Sequence, residues 1–240
     1  MRICLLSDVH SNLPALDAVL AAAGPVDAVW HLGDVVGYGP DPDDVVGRLR
    51  ELGAIGVRGN HDAAACGGSE IDWFNPDARR AMEWTRSAIS EDTRAWLTAL
   101  PERRTEAGCA LVHGSPREPL WEYVTSTSVA RDNLRLLDVP LGLHGHTHVP
   151  AAWIDDGDRV ELVRGRPGQR LELGGRRALV NPGSVGQPRD GNPDASFAIL
   201  DVEAGTVEWG RAAYDIRAVQ DAMRAAGLPP SLASRLRDGQ

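Results

Sequence analysis

The sequence predicts an α/β protein, and three observations carry that prediction. Short apolar runs alternate with helix-patterned segments as far as Val57, the signature of βαβαβ units with parallel strands. Asp, Asn and His residues gather at the ends of those runs and of two later ones, where parallel strands deliver functional groups. From Ala151 onward the texture changes to short alternating runs between Gly, Asp and Pro turns, which predicts a second, mainly antiparallel sheet.

Taken in order, Arg2 to Ser7 is a short apolar run that stops at Asp8, as suits a buried strand. Asn12 and Pro14 start a helix over residues 16–23, and Gly24 with Pro25 stops it. Asp27 to Leu32 is a second strand, ending in Gly33 and Asp34. Pro42 and Asp43 open a helix through residues 45–52, closed by Gly53, and Ala54 to Val57 is a third strand ending in GNHD. Asn75 with Pro76 starts a helix over residues 77–89, and Ser90 starts another that Pro101 ends. Trp84 and Trp96 sit on these helices at core spacings. Cys109 to Val112 and Leu141 to His144 are further strands, running into His113 and into GHTH. Strand runs at 151–154, 159–163, 177–180, 195–202 and 206–214 follow, then a helix over 216–226 and a polar tail. No composition shift splits the chain, so one domain over residues 1–240 is expected.

Hydrophobic content of 42% and charged content of 25% are those of ordinary globular proteins. The formal net charge of −9 argues against a partner made of duplex nucleic acid, which calls for a basic face. Cys4, Cys66 and Cys109 are odd in number and widely spaced, as expected of reduced thiols in a cytoplasmic protein. The start MRICLLSD meets a charge too early for a signal peptide, and no apolar run has membrane-spanning length, so no membrane partner is expected.

His144, His146 and His148 crowd one strand end. On an extended segment alternate side chains share a face, so parity groups all three and does not choose among them. Their partners lie at the other strand ends: Asp8 with His10, Asp34, Asn60 with His61 and Asp62, and His113. Independent caps and turns explain such a succession poorly. None of these ends carries the thiolates of a structural zinc site. Two histidines and two carboxylates are enough to fill one metal site, and the remaining His, Asn and a shared Asp could fill a second, a composition that favours a dinuclear centre. Asp34, set between glycines in GDVVG, has room to be the shared residue.

The set SDVH (7–10), GDVVG (33–37), GNHD (59–62), HG (113–114) and GHTH (145–148) resembles the calcineurin-like metallophosphoesterase superfamily. GYGPDP (37–42) and NPGSVGQPRDG (181–191) resemble its bacterial branch of small predicted phosphodiesterases. The resemblance implies a four-layer α-β-β-α sandwich, two facing mixed sheets around a dinuclear metal site. It implies one metal held by Asp8, His10, Asp34 and His148, and a second by Asp34, Asn60, His113 and His146, with Asp34 and a hydroxide bridging them. His144 is left as a neighbour.

The expected activity is metal-dependent phosphoester hydrolysis by the bridging hydroxide, of phosphodiesters foremost, on a small phosphoester or nucleotide substrate. Phosphomonoesterase, protein phosphatase and dinucleoside polyphosphate hydrolase are the alternatives among enzymes. A non-catalytic protein-binding scaffold is disfavoured because every ligand position is filled. The cofactors implied are two divalent transition metal ions, manganese ahead of iron, zinc, cobalt and nickel. His61 is assigned a catalytic role, steadying phosphoryl charge or protonating the departing alkoxide, with Asp62 fixing its orientation. Asn12, Arg58 and Arg189 are candidate substrate contacts, each with a plain structural reading as helix cap, surface ion pair and turn residue. Cap-like helical insertions are expected at about 62–105 and 115–138, and they contain Trp73, Phe74, Trp121 and Tyr123.

Overall fold

Four layers stack in the computed structural model, which describes residues 1–240 apart from the side chains of Ser69 and Glu70. The chain runs β1 (Arg2–Leu6), α1 (Leu13–Ala23), β2 (Ala28–His31), α2 (Pro42–Glu51), β3 (Ile55–Gly56), α3 (Asn60–Ala65) and a 3-10 turn (Ser69–Trp73). Next come α4 (Pro76–Ala88), α5 (Glu91–Ala99), β4 (Arg103–Glu106), β5 (Cys109–Val112), α6 (Thr127–Leu136) and β6 (Leu141–Leu143). It closes with β7 (Ala151–Asp155), β8 (Val160–Arg164), β9 (Arg170–Glu172), β10 (Arg177–Asn181), β11 (Ala195–Asp201), β12 (Thr206–Ala212), α7 (Ile216–Ala225) and α8 (Pro230–Asp238).

One sheet has the strand order β3-β2-β1-β11-β12-β9 and the other β4-β5-β6-β10-β7-β8. Both are mixed: β1 runs parallel to β2 and antiparallel to β11, while β6 is parallel to β5 and β10. Alternation along β1 shows how the layers arise. Cys4 and Leu6 face the helices, packing with Leu16 and Val19 of α1, whereas Ile3 and Leu5 face the other sheet and meet Leu111, Leu143 and Val180. On the far side α6 buries Ala130 and Leu134 against Trp153 and Leu179. Helix, sheet, sheet and helix follow in turn, as the resemblance implied.

The expectation of a separate antiparallel sheet after residue 151 is corrected. β9, β11 and β12 join the first sheet beside β1, and β7, β8 and β10 join the second. Local pattern reports that a segment is a strand; its partner is fixed by burial, and β11 is apolar enough to sit at the centre of a sheet. Three further elements escape the sequence reading. β4 lies inside the segment expected to be a helical insertion, β9 is a short edge strand, and α8 occupies the polar tail. The signals for α8 were present, with Pro230 in its first turn, Leu232 and Leu236 four apart on its buried face, and Gly239 beyond its end at φ +64°. The second expected insertion also divides, because α6 belongs to the outer layer. Among the described residues no helix is long and apolar enough to cross a membrane.

Candidate metal centre

The loops leaving β1, β2, β3, β5 and β6 meet, and their backbones are unusual. Asp8, His10, Asp34, His146 and His148 have φ between +49° and +65°. This left-handed conformation costs an L-residue about 1–2 kcal/mol, so the fold holds these side chains against local preference. It also corrects the parity reading of the GHTH segment. Residues 145–148 are not extended, and His146 and His148 turn to different partners.

The first group is Asp8, His10 and His148, and the second is Asp34, His113 and His146; in each, donor atoms lie within 4.8 Å of one another. His10 Nε2 stands 3.2 Å from His148 Nε2, which is 3.2 Å from Asp8 Oδ1. His113 Nε2 stands 3.1 Å from His146 Nδ1 and 3.1 Å from Asn60 Oδ1. Asp34 Oδ2 lies between the groups, 3.3 Å from His113 Nε2 and 3.8 Å from His10 Nε2. Asp34 Oδ1 accepts from the His61 backbone N–H at 2.9 Å. Gly59 is needed for this approach, since a Cβ there would fall 2.1 Å from Asp34 Oδ1.

Each imidazole is tied from behind. His10, His113 and His148 direct Nδ1 at the carbonyls of Val36, Leu32 and Gln187, and His146 directs Nε2 at the carbonyl of Trp121. A carbonyl only accepts, so the nitrogen facing it carries a proton, and in a neutral ring the inward nitrogen is then left with a lone pair. Burial pushes the rings of His10 and His148 down and that of His146 to about 3, keeping them neutral. His113 differs: burial opposes its charge, but the Asp34 carboxylate prevails and raises it to about 9. Burial resists ionisation of Asp34, but His113, His61 and His10 together hold its carboxyl well below the usual carboxylate range.

These residues fit divalent cations. Neutral His10 and His148 face each other lone pair to lone pair, and fully buried Asp8 Oδ1 receives no hydrogen bond although Oδ2 accepts from Ser7 Oγ and the His146 N–H. Such an arrangement is unfavourable unless a positive charge lies within it. The nitrogen and oxygen donors suit transition metals without selecting one. All seven expected ligand residues, Asp8, His10, Asp34, Asn60, His113, His146 and His148, converge here. His144 stays apart, buried with neither ring nitrogen partnered.

The groups open onto a cleft of about 600 Å³ that is also lined by His61, Trp73, Phe74, Trp121, Tyr123 and Arg189. His61 stacks on Phe74 with ring centroids 4.5 Å apart, and burial pushes it down to about 4. Gly37, at φ +96°, makes room for it, since a Cβ there would meet His61 Nδ1 at 2.5 Å. Tyr123 stacks on His146 at 3.8 Å.

Three expectations for individual residues are corrected. Asp62 does not touch the His61 ring: its oxygens accept from the backbone N–H groups of Val36 (3.0 Å) and Gly59 (2.9 Å), clamping two ligand loops together. Burial, with Asp34 adding, raises that carboxyl to about 7. Asn12 caps α1 by accepting from the Ala15 N–H, and its amide donates to the Gly186 carbonyl and to Tyr214 Oη, away from the cleft. Arg58 pairs with Glu102 at 3.0 Å and does not line the cleft. Tyr38 and Arg235, which the sequence reading passed over, do line it. Tyr38 sits in the quoted GYG stretch, whereas only the helical spacing of the tail could have pointed to Arg235.

A sequence profile of the calcineurin-like phosphoesterase superfamily domain matches residues 1–205. The chain is 34% identical to MJ0912 of Methanocaldococcus jannaschii, over 98% of this chain and 96% of that one. It is 29% identical to the phosphodiesterase YfcE of Escherichia coli K12, over 84% of this chain and 88% of that one. Its structure is similar to that of a metallophosphoesterase from Sphaerobacter thermophilus, with a TM-score of 0.93 at 45% identity, covering 100% of this chain and 99% of that one.

Proposed function

The chain belongs to the calcineurin-like phosphoesterase superfamily and is a metal-dependent phosphoester hydrolase, and from that premise we propose that it cleaves small or nucleotide-like phosphodiesters at a pair of divalent cations, manganese foremost. The observation that carries this reading is the wall of Phe74, Trp121 and Tyr123 beside the two ligand groups. A diester brings one negative charge and two organic substituents, and aromatic rings give such a substituent a surface to stack on. The likeness to a protein named a phosphodiesterase supports the same choice.

Asp8, His10 and His148 would hold one cation and Asn60, His113 and His146 the other, with Asp34 shared. Bound there, the pair supplies a water acidic enough to attack near neutral pH and positive charge for the phosphoryl oxygens. The chain does the positioning. The carbonyls of Val36, Leu32, Gln187 and Trp121 fix the ring orientations, and the Trp121 bond joins His146 to the aromatic wall. His61, neutral near pH 7, offers a ring N–H to a phosphoryl oxygen, while Tyr38 and Phe74 pack around it and limit water. We read the turn Ser69–Trp73 and residues 115–125 as the cap of a single domain.

With manganese added to protein of measured metal content, kcat/KM for bis(p-nitrophenyl) phosphate should exceed that for p-nitrophenyl phosphate by about tenfold or more, a difference of about 1.4 kcal/mol. A preference for the monoester overturns the diester reading. His61→Ala should lower turnover about a hundredfold with its metals still bound. Undiminished turnover removes His61 from the mechanism.

A further inference from the structure

Part of the cleft wall comes from outside the matched domain. The superfamily match ends at residue 205, and α7 and α8 follow it. This hairpin is seated firmly on the site's rim. Leu232 and Leu236 of α8 pack with Val219 and Met223 of α7, and the same cluster takes in Tyr38 from the loop after β2 and Ala78 and Ala81 from α4. Ser231 Oγ donates to Asp77, and the Gly239 carbonyl accepts from the Gly191 N–H at 3.0 Å, tying the end of α8 to the 181–191 loop. The seating brings Arg235 onto the cleft that His61, His148 and Arg189 also line.

The two guanidiniums differ from their neighbours. Arg211 and Arg237 pair with Asp190 and Asp238. Arg189 donates to Gln187 Oε1 at 3.1 Å and lies beside the hydroxyls of Tyr38 and Tyr123, which are neutral partners, and among the described ion pairs neither it nor Arg235 has a carboxylate. Asp77, the acid whose carboxyl is held down by Ser231, Arg80 and more weakly by Arg235, is already engaged by the first two. Both arginines are half-buried. In a chain of net charge −9, leaving two cations partly desolvated and unpaired in one cleft is unfavourable unless an anion completes them. His61 and the cations would meet the scissile phosphoryl group, which leaves Arg235, on the α8 rim of the same cleft, for a second anion.

We propose that Arg235, with Arg189, forms an anion subsite that selects phosphodiesters carrying a second phosphoryl group. This rests on the phosphodiesterase reading and adds a substrate class to it. Guanidinium matches a phosphate through paired N–H bonds, and an ammonium at the same place lacks that fork. Arg235 thereby makes the α7–α8 hairpin a determinant of specificity.

The test uses the thymidine dinucleotide with and without a terminal 5′- or 3′-phosphate. Calorimetry on the manganese-loaded full chain, with hydrolysis-resistant phosphorothioate forms, should show one phosphorylated form binding about tenfold tighter or more than the plain one. In Arg235→Gln that preference should shrink to about twofold, with the loss appearing in KM for the ordinary dinucleotides; Arg235→Lys should fall between. If Arg235→Gln does not fold, a reduced preference in Arg235→Lys carries the result. Equal binding of plain and phosphorylated forms, or a preference unchanged in both variants, overturns the subsite. A binding preference without hydrolysis of any dinucleotide supports the subsite and overturns the diesterase reading.

Discussion

His31 shows what burial does to an imidazole that no cation or carbonyl repays. It closes β2, is fully buried, and neither ring nitrogen has a hydrogen-bond partner. Burial, with Arg104 adding, pushes the ring down to about 4, whereas in the unfolded chain it titrates near 6.5. Between those values the unfolded state binds a proton that the native state refuses. Stability from this group is complete above pH 6.5 and falls as the pH drops towards 4, by about 3 kcal/mol in all. His31→Leu keeps an apolar filling and removes the titration. Urea unfolding of both proteins from pH 7 to pH 4 should find the variant losing about 3 kcal/mol less than the parent. Parallel profiles would contradict the assignment of a neutral His31. The sequence could not separate His31 from the ligand histidines by residue type alone, since the difference lies in the carbonyl behind the ring and the carboxylate in front of it.

At the scale of elements, Asn12 illustrates how a residue close to a motif serves the scaffold. Its side chain holds the first turn of α1 and crosses to Gly186 and Tyr214, so one amide joins helix α1, the 181–191 loop and the approach to α7. Asn12→Ala should cost about 1–2 kcal/mol of unfolding free energy, read by denaturant titration, and leave KM for the diester substrate unaltered. A raised KM at full stability would instead return Asn12 to the substrate. Strand ends were legible because an apolar run that halts at Asp or His is a local pattern, and β1, β2 and β5 follow it. Sheet membership was not legible. Leu5 pairs with Ala198, and nothing near either residue encodes a partner so distant in sequence. That these strand-end side chains would gather could be anticipated from the family motifs, yet the paths of His146 and His148 could not, because left-handed φ values at non-glycine residues are imposed by tertiary contacts. α8 was missed for another reason: its buried stripe is short, and charged residues surround it.

For the molecule as a whole, the two ligand groups join the sheets. Asp8 and His10 follow β1 and Asp34 follows β2, all in the first sheet, whereas His113 follows β5 and His146 and His148 follow β6, in the second. Each group therefore draws residues from both sheets, and a cation held in either would act as a clasp across the central core. A cation that binds only the native state stabilises it in proportion to the logarithm of its excess over Kd, about 2.7 kcal/mol at a hundredfold excess. In a domain of this size each kcal/mol moves the midpoint by about 2–4 °C, so removing one cation should lower Tm by about 5–10 °C. Chelator should thus abolish turnover and lower Tm together, and manganese should restore both. Asp34→Ala, lacking the shared carboxylate, should start from the lower Tm and respond little to chelator. A Tm indifferent to chelator, in protein shown by elemental analysis to have carried its metals, would mean that the sheets are joined by their apolar core alone. The left-handed backbone at Asp8, His10, Asp34, His146 and His148 points the same way, since strain is kept at both sheets' loops where the donor atoms face one another, and a shared cation would offset part of it.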